Sequence, residues 1–176
     1  MTQETLQRID SYIESSTREL FKSQGMEVEP EPRREAKAVN PLAATIGFTS
    51  ENLRGFLMLS LDRELAARSL PANLRGLAGN EEILADWTGE LSNQLLGRLK
   101  ARFCPTGIEI SLSTPIVFTG KDMHRFPNTA PLQRSLFFAE GRLVVEIQAC
   151  YDRDFEIPEE GELPKPSQSE GEVLFF

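Results

Sequence analysis

Four residues of one segment have types and spacing suited to work on another molecule: Asp86, Glu90, Asn93 and Gly97. Advancing 100° per residue, they fall within about 60° of arc on a helix. Trp87, Leu91, Leu84, Leu95, Leu99, Phe103 and Leu96 take the opposite side as a broad apolar arc. The stripe therefore offers two carboxylates and a carboxamide that is both donor and acceptor. Gly97 follows where propensity alone would place Ala, a gain of about 1 kcal/mol. The missing side chain would let another surface approach closely. The plain alternative is that polar residues occupy the outer face of any amphipathic helix, with Gly97 simply tolerated.

The helix that carries the stripe should run from Asn80 or Glu81 to Phe103. Asn80 suits the N-cap, Glu81 and Glu82 the first turn, and Arg98, Lys100 and Arg102 the last, before Cys104–Pro105 stops it. An earlier helix is predicted over Glu4–Lys22, from Leu6, Ile9, Ile13, Leu20 and Phe21 at helical spacing. A polar loop, Glu27–Lys37, follows it. Leu42–Thr49 and Gly55–Leu61 read as strands around a turn at Ser50–Arg54, and Asp62 caps a short helix, Arg63–Ser69, ended by Pro71. Glu109–Thr119, Ser135–Ala139 and Leu143–Tyr151 read as strands, the last two joined tightly through Glu140–Gly141. This order predicts an α+β domain built on an antiparallel sheet.

At 176 residues the chain has room for one domain with a substantial core. Nineteen basic against 27 acidic residues give a net charge of −8, which disfavours a nucleic-acid partner. The start of the chain has no apolar run of the signal-peptide kind, and no 18 apolar residues occur in succession, so no membrane association is expected. Two cysteines, Cys104 and Cys150, make no disulfide framework; a reducing, cytoplasmic setting and buried thiols are expected. The domain is expected over residues 1–155. From Glu156 to Phe176 six Glu, one Lys and three prolines predict a mobile acidic tail.

Asp86-Trp-Thr-Gly-Glu90-Leu-Ser-Asn93 resembles the D/S-x3-E-x2-N signature of the CheC/CheX/FliY chemotaxis phosphatases. The likeness continues through ELSNQLLGRLKARF, which is similar to the CheX-type helix down to the glycine after the asparagine. ATIGFTSENLRGFLMLSLDRELAARSL resembles the CheX hairpin and short helix, and ISLSTPIVFTG the proline-bearing strand that follows the signature. Twenty-one residues separate Asn93 from Pro115, one fewer than in the CheC-type pattern. The resemblance covers roughly residues 3–151. It implies a CheC-like fold: an antiparallel sheet packed against two long helices, in a pseudo-repeat of helix plus strands.

The resemblance also implies an activity, removal of phosphate from the phospho-aspartate of a CheY-like response regulator. Glu90 would dock a lysine of the partner and Asn93 would orient the attacking water, with Asp86 and Gly97 helping the partner bind. The chain would need no cofactor of its own; Mg²⁺ would sit in the partner's receiver domain. A phospho-aspartate is labile, so positioning a water in line can suffice, and a carboxamide does not repel phosphate as aspartate would. Homodimerisation is implied as well. Asp10-x3-Glu14-x2-Thr17 in the first helix stands at the spacing of a second signature, but threonine replaces asparagine and lies within the apolar arc. That half reads as structural, which fits the one-site CheX branch.

Other residues carry less. His124, the single histidine, has no companions for a metal site and reads as a loop residue. Ser92 and Ser113 lie in no nucleophile elbow, and no nucleotide-binding string occurs. Trp87 is expected as a core anchor. Val173-Leu-Phe-Phe176 either folds back onto an apolar groove or serves as a short partner motif. A non-catalytic interaction module of the same fold is the competing function, favoured if Asn93 were buried. A metal-dependent hydrolase would need Asp86 and Glu90 to share an ion with ligands from elsewhere.

Overall fold

A computed structural model describes residues 1–32, 42–120, 130–139, 142–152 and 155–158. The expected turn at Glu140–Gly141, His124, the end of the polar loop and the tail from residue 159, with Val173–Phe176, lie outside the described residues.

Two long helices and one sheet build the body. Helix α1 spans Gln3–Ser23, its Thr2 side chain capping Thr5 N, and buries Ile9, Ile13, Leu20 and Phe21. Strand β1, Pro30–Glu31, forms in the segment expected to be a loop, because it finds a partner at the sheet edge. Strands β2 (Leu42–Thr49) and β3 (Leu53–Leu61) pair as an antiparallel hairpin. Helix α2, Arg63–Ser69, starts at Asp62, whose carboxylate accepts from Leu65 N at 2.7 Å. A 3₁₀ turn at Arg75–Leu77 leads into helix α3, Glu81–Phe103, capped by Asn80. Strands β4 (Ser111–Leu112), β5 (Ile116–Thr119), β6 (Leu132–Phe138) and β7 (Leu143–Tyr151) complete it.

Among the described residues the sheet is antiparallel throughout, in the order β1-β6-β7-β3-β2-β4, with β5 also on β2. The result is an α+β fold with the two long helices packed against an antiparallel sheet. Leu42, Ala44 and Ile46 of β2 are fully buried, as are Leu91 and Leu95 of α3. Each fully buried leucine of this kind contributes about 1.5–3 kcal/mol of transfer free energy. Tyr12 and Phe103 lock the helices edge to face at 5.3 Å. Arg102 ties α3 back to α1 through Ser16 and Glu19, at 3.1 and 2.5 Å.

The single strand expected over Glu109–Thr119 is broken in two. Phe48 pairs with Leu112 and Thr45 with Ile116, so the edge chain carries one residue more than β2 over this stretch. That is a bulge, and Pro115, which has no N–H to give the ladder, sits in it. Ser113 bridges the gap: its hydroxyl accepts from Gly47 N, and its own N–H donates to Gly47 O, both at 2.9 Å. Both cysteines are exposed, against expectation. Cys150 alternates with Ala149, which takes the core side, and Cys104 lies just past the end of α3. Beyond β7 the described residues 155–158 still meet the body. Phe155 and Ile157 are buried, and Arg8 donates to the carbonyls of Ile157 and Pro158 at 3.0 and 2.8 Å.

Candidate functional site

Helix α3 turns its apolar arc to the sheet, so the opposite stripe faces outward. Asp86, Glu90 and Asn93 are all exposed, and Gly97 is half-buried. The anchoring comes from the other side. Trp87 is 9% exposed, and its indole N–H donates to Ser69 of α2 at 2.8 Å. Leu84, Leu91, Leu95 and Leu99 fill the core beneath. A helix fixed this firmly holds its outer side chains at set positions, which a docking site needs.

The stripe residues differ in what they touch. Glu90 Oε1 accepts from Gln94 Nε2 at 2.8 Å, one turn along the helix. The Asp86 and Asn93 side chains have no hydrogen bond or ion pair with any described residue, so the Asn93 carboxamide is free to bond to an incoming molecule. Gly97 faces open space: a methyl group built there would meet nothing within 4 Å.

Gly89 carries a role that its sequence position did not disclose. A Cβ on it would lie 3.0 Å from Val117 and 3.9 Å from Pro115. Its absence lets β5 close against the helix, about 40° around from Asn93. The bulge at Pro115 and this bare turn of helix together set the edge strand alongside the stripe. An extra glycine within a helix was the available signal.

The remaining candidates fall elsewhere. Ser92 is fully buried on the sheet side of α3, and Ser113 serves the bulge. Among the described residues no group of three His, Cys, Asp or Glu side chains could hold a metal ion. No described helix is long and apolar enough to cross a membrane. A hollow of about 560 Å³ between Thr49–Asn52, Thr106–Glu109 and Phe155–Pro158 includes none of the stripe. The stripe lies on the outer face of α3, where a macromolecule can reach it.

The second string, on α1, is arranged otherwise. Asp10 forms a two-pronged ion pair with Arg134 of β6, and this hydrogen bonding pushes the Arg134 pKa above its ordinary value. Glu14 pairs with Arg18 at 3.5 Å. Thr17 is fully buried and donates to Ile13 O at 2.7 Å. Each member already has a partner within the molecule, and only the Asp10 pair ties α1 to another element.

Comparison with known proteins bears on both fold and stripe. The family described as chemotaxis phosphatase CheX matches residues 42–133, just over half of the chain and the part that contains the stripe. No curated protein sequence matches. Among solved structures, the chain is similar to chemotaxis protein CheX from Vibrio vulnificus, at 20% identity and a TM-score of 0.65, covering 79% of this chain and 94% of that one. A CheC-like superfamily protein from Shewanella sp. PV-4 matches at 19% identity and a TM-score of 0.62, covering 86% and 99%. The CheX of a CheX–CheY–BeF3–Mg²⁺ complex from Borrelia burgdorferi matches at 13% identity and 0.55, covering 83% and 97%. These likenesses establish the fold as CheC-like.

Proposed function

The chain belongs to the CheX family, and from that membership we propose that it removes phosphate from the phospho-aspartate of a CheY-like response regulator. In this reading Glu90 docks a lysine of the receiver domain, and Asn93 enters the phosphorylation pocket to hold a water in line with phosphorus. The water oxygen forms the new bond to phosphorus as the bond to the aspartyl oxygen breaks. Inorganic phosphate leaves as H2PO4⁻ with both of the water's protons, and the aspartate carboxylate is restored. Positioning supplies the catalysis, since no nucleophile comes from this chain. Mg²⁺ belongs to the receiver domain, as the composition of the Borrelia complex supports.

The observation that carries this reading is the free, exposed carboxamide of Asn93, three residues along the same face from Glu90. Asp86 and Gly97 extend the same contact surface, the one with charge and the other with room. The setting is the cytoplasm, where such regulators act. A homodimer belongs to the same proposal. Edge strand β5 exposes Ile116 (62%) and Phe118 (46%), side chains that alternate with the Val117 turned to α3. Sedimentation at micromolar concentration tests it, a monomer counting against.

The functional test is the lifetime of phosphorylated CheY-like regulators with and without the protein. Shortening by wild type and not by Asn93→Ala supports the phosphatase. Stable binding of a regulator with no change in its lifetime would favour the non-catalytic interaction module.

A further inference from the structure

Glu14 and Glu90 occupy the same place in two strings of the same spacing, yet the residue one turn further on differs. It is Arg18 in α1 and Gln94 in α3. Side chains four apart on a helix meet, so each reaches its glutamate. Arg18 lies 3.5 Å from Glu14 and 3.0 Å from Glu29, and its cation offsets the carboxylate. Gln94 donates to Glu90 Oε1 at 2.8 Å and cancels no charge. The other helix neighbours of Glu90 are Asp86, Trp87 and Asn93, none of them a cation. No ion pair from any other described element reaches it.

We propose that Gln94 is a positioning residue that fixes the Glu90 carboxylate while leaving its charge uncompensated, so that the partner must supply the cation. The proposal rests on the docking role given to Glu90 above. A free glutamate loses rotamer entropy on docking, and a side chain already held by a neutral donor loses less. The bond uses one carboxylate oxygen and leaves lone pairs for a lysine ammonium. A cation at position 94 would hold Glu90 equally well but would offset its charge, as Arg18 does for Glu14, and so compete with the partner. The helix thus selects for a partner with a cation at the docking point and against one without.

The test uses the full chain and a CheY-like response regulator of the same organism, phosphorylated with acetyl phosphate in Mg²⁺. Gln94→Arg is expected to raise KM about three- to tenfold, with kcat within about twofold of wild type, since the change acts on docking and not on the water. Gln94→Ala, which frees the glutamate, is expected to raise KM about twofold. In a Glu90→Ala background neither substitution should change KM further, a result that a merely structural role for Gln94 would not produce. Wild-type KM in Gln94→Arg, or the same KM rise with Glu90 absent, would overturn the proposal while leaving the phosphatase in place. Failure of the wild type to shorten the phosphoprotein's lifetime would remove the docking reading, and this proposal with it.

Discussion

Helices α1 and α3 carry strings of one pattern, Asp-x3-Glu-x2-Thr and Asp-x3-Glu-x2-Asn, and put them to opposite uses. In α1 each side chain is bound inside the molecule: Asp10 to Arg134, Glu14 to Arg18, and Thr17 beneath the surface. In α3 the corresponding Asp86 and Asn93 are unbound and exposed, and Glu90 is held only by a neutral donor. Spacing alone therefore does not make a site. What separates the two is whether the polar groups are already satisfied, because a group with a partner must give it up before it can serve another molecule.

That contrast can be tested where it should be sharpest. Asn93→Ala is expected to lower kcat for dephosphorylation at least about 100-fold, the scale of losing a group that orients the reacting water. The melting temperature should not move, because the side chain is exposed and has no hydrogen bond or ion pair with a described residue. Thr17→Asn restores the signature on α1, but the larger amide enters a fully buried position. It should cost about 1–3 kcal/mol in urea denaturation and add no activity. A gain of activity would break the comparison at once.

Two smaller effects refine it. Asp10→Ala leaves the partly buried Arg134 without its carboxylate and should cost about 1 kcal/mol, discounted because both side chains are about one-third exposed, with kcat unchanged. Glu90→Ala should raise KM about fivefold, whereas Glu14→Ala should leave KM untouched and shift stability by no more than about 0.5 kcal/mol. Equal effects at the two glutamates would mean that the α1 string is no less functional than the other.

Much of this arrangement was legible in the residues, and the limits have physical causes. The caps Asn80 and Asp62, the apolar arc of α3 and the burial of Thr17 are local consequences of helical period, and all were expected. The stripe was legible for the same reason. Features that depend on distant partners were not. Strand β1 exists because Pro30–Glu31 meets Phe137–Phe138, more than a hundred residues away in sequence. The bulge at Pro115 reflects how two short strands register on β2, and the role of Gly89 depends on the Val117 that the bulge delivers. Cys150 is exposed because a small apolar residue in a strand suits either face and Ala149 took the inner one, and Cys104 because it lies past the last turn of α3.

The most direct measurement is a single-turnover time course of a phosphorylated CheY-like regulator with wild type, Asn93→Ala and Glu14→Ala in parallel. The expected result is rapid loss of phosphate with wild type and Glu14→Ala, and loss at the regulator's own rate with Asn93→Ala. Loss with Asn93→Ala as fast as with wild type would contradict the assignment of the chemistry to the outer face of α3.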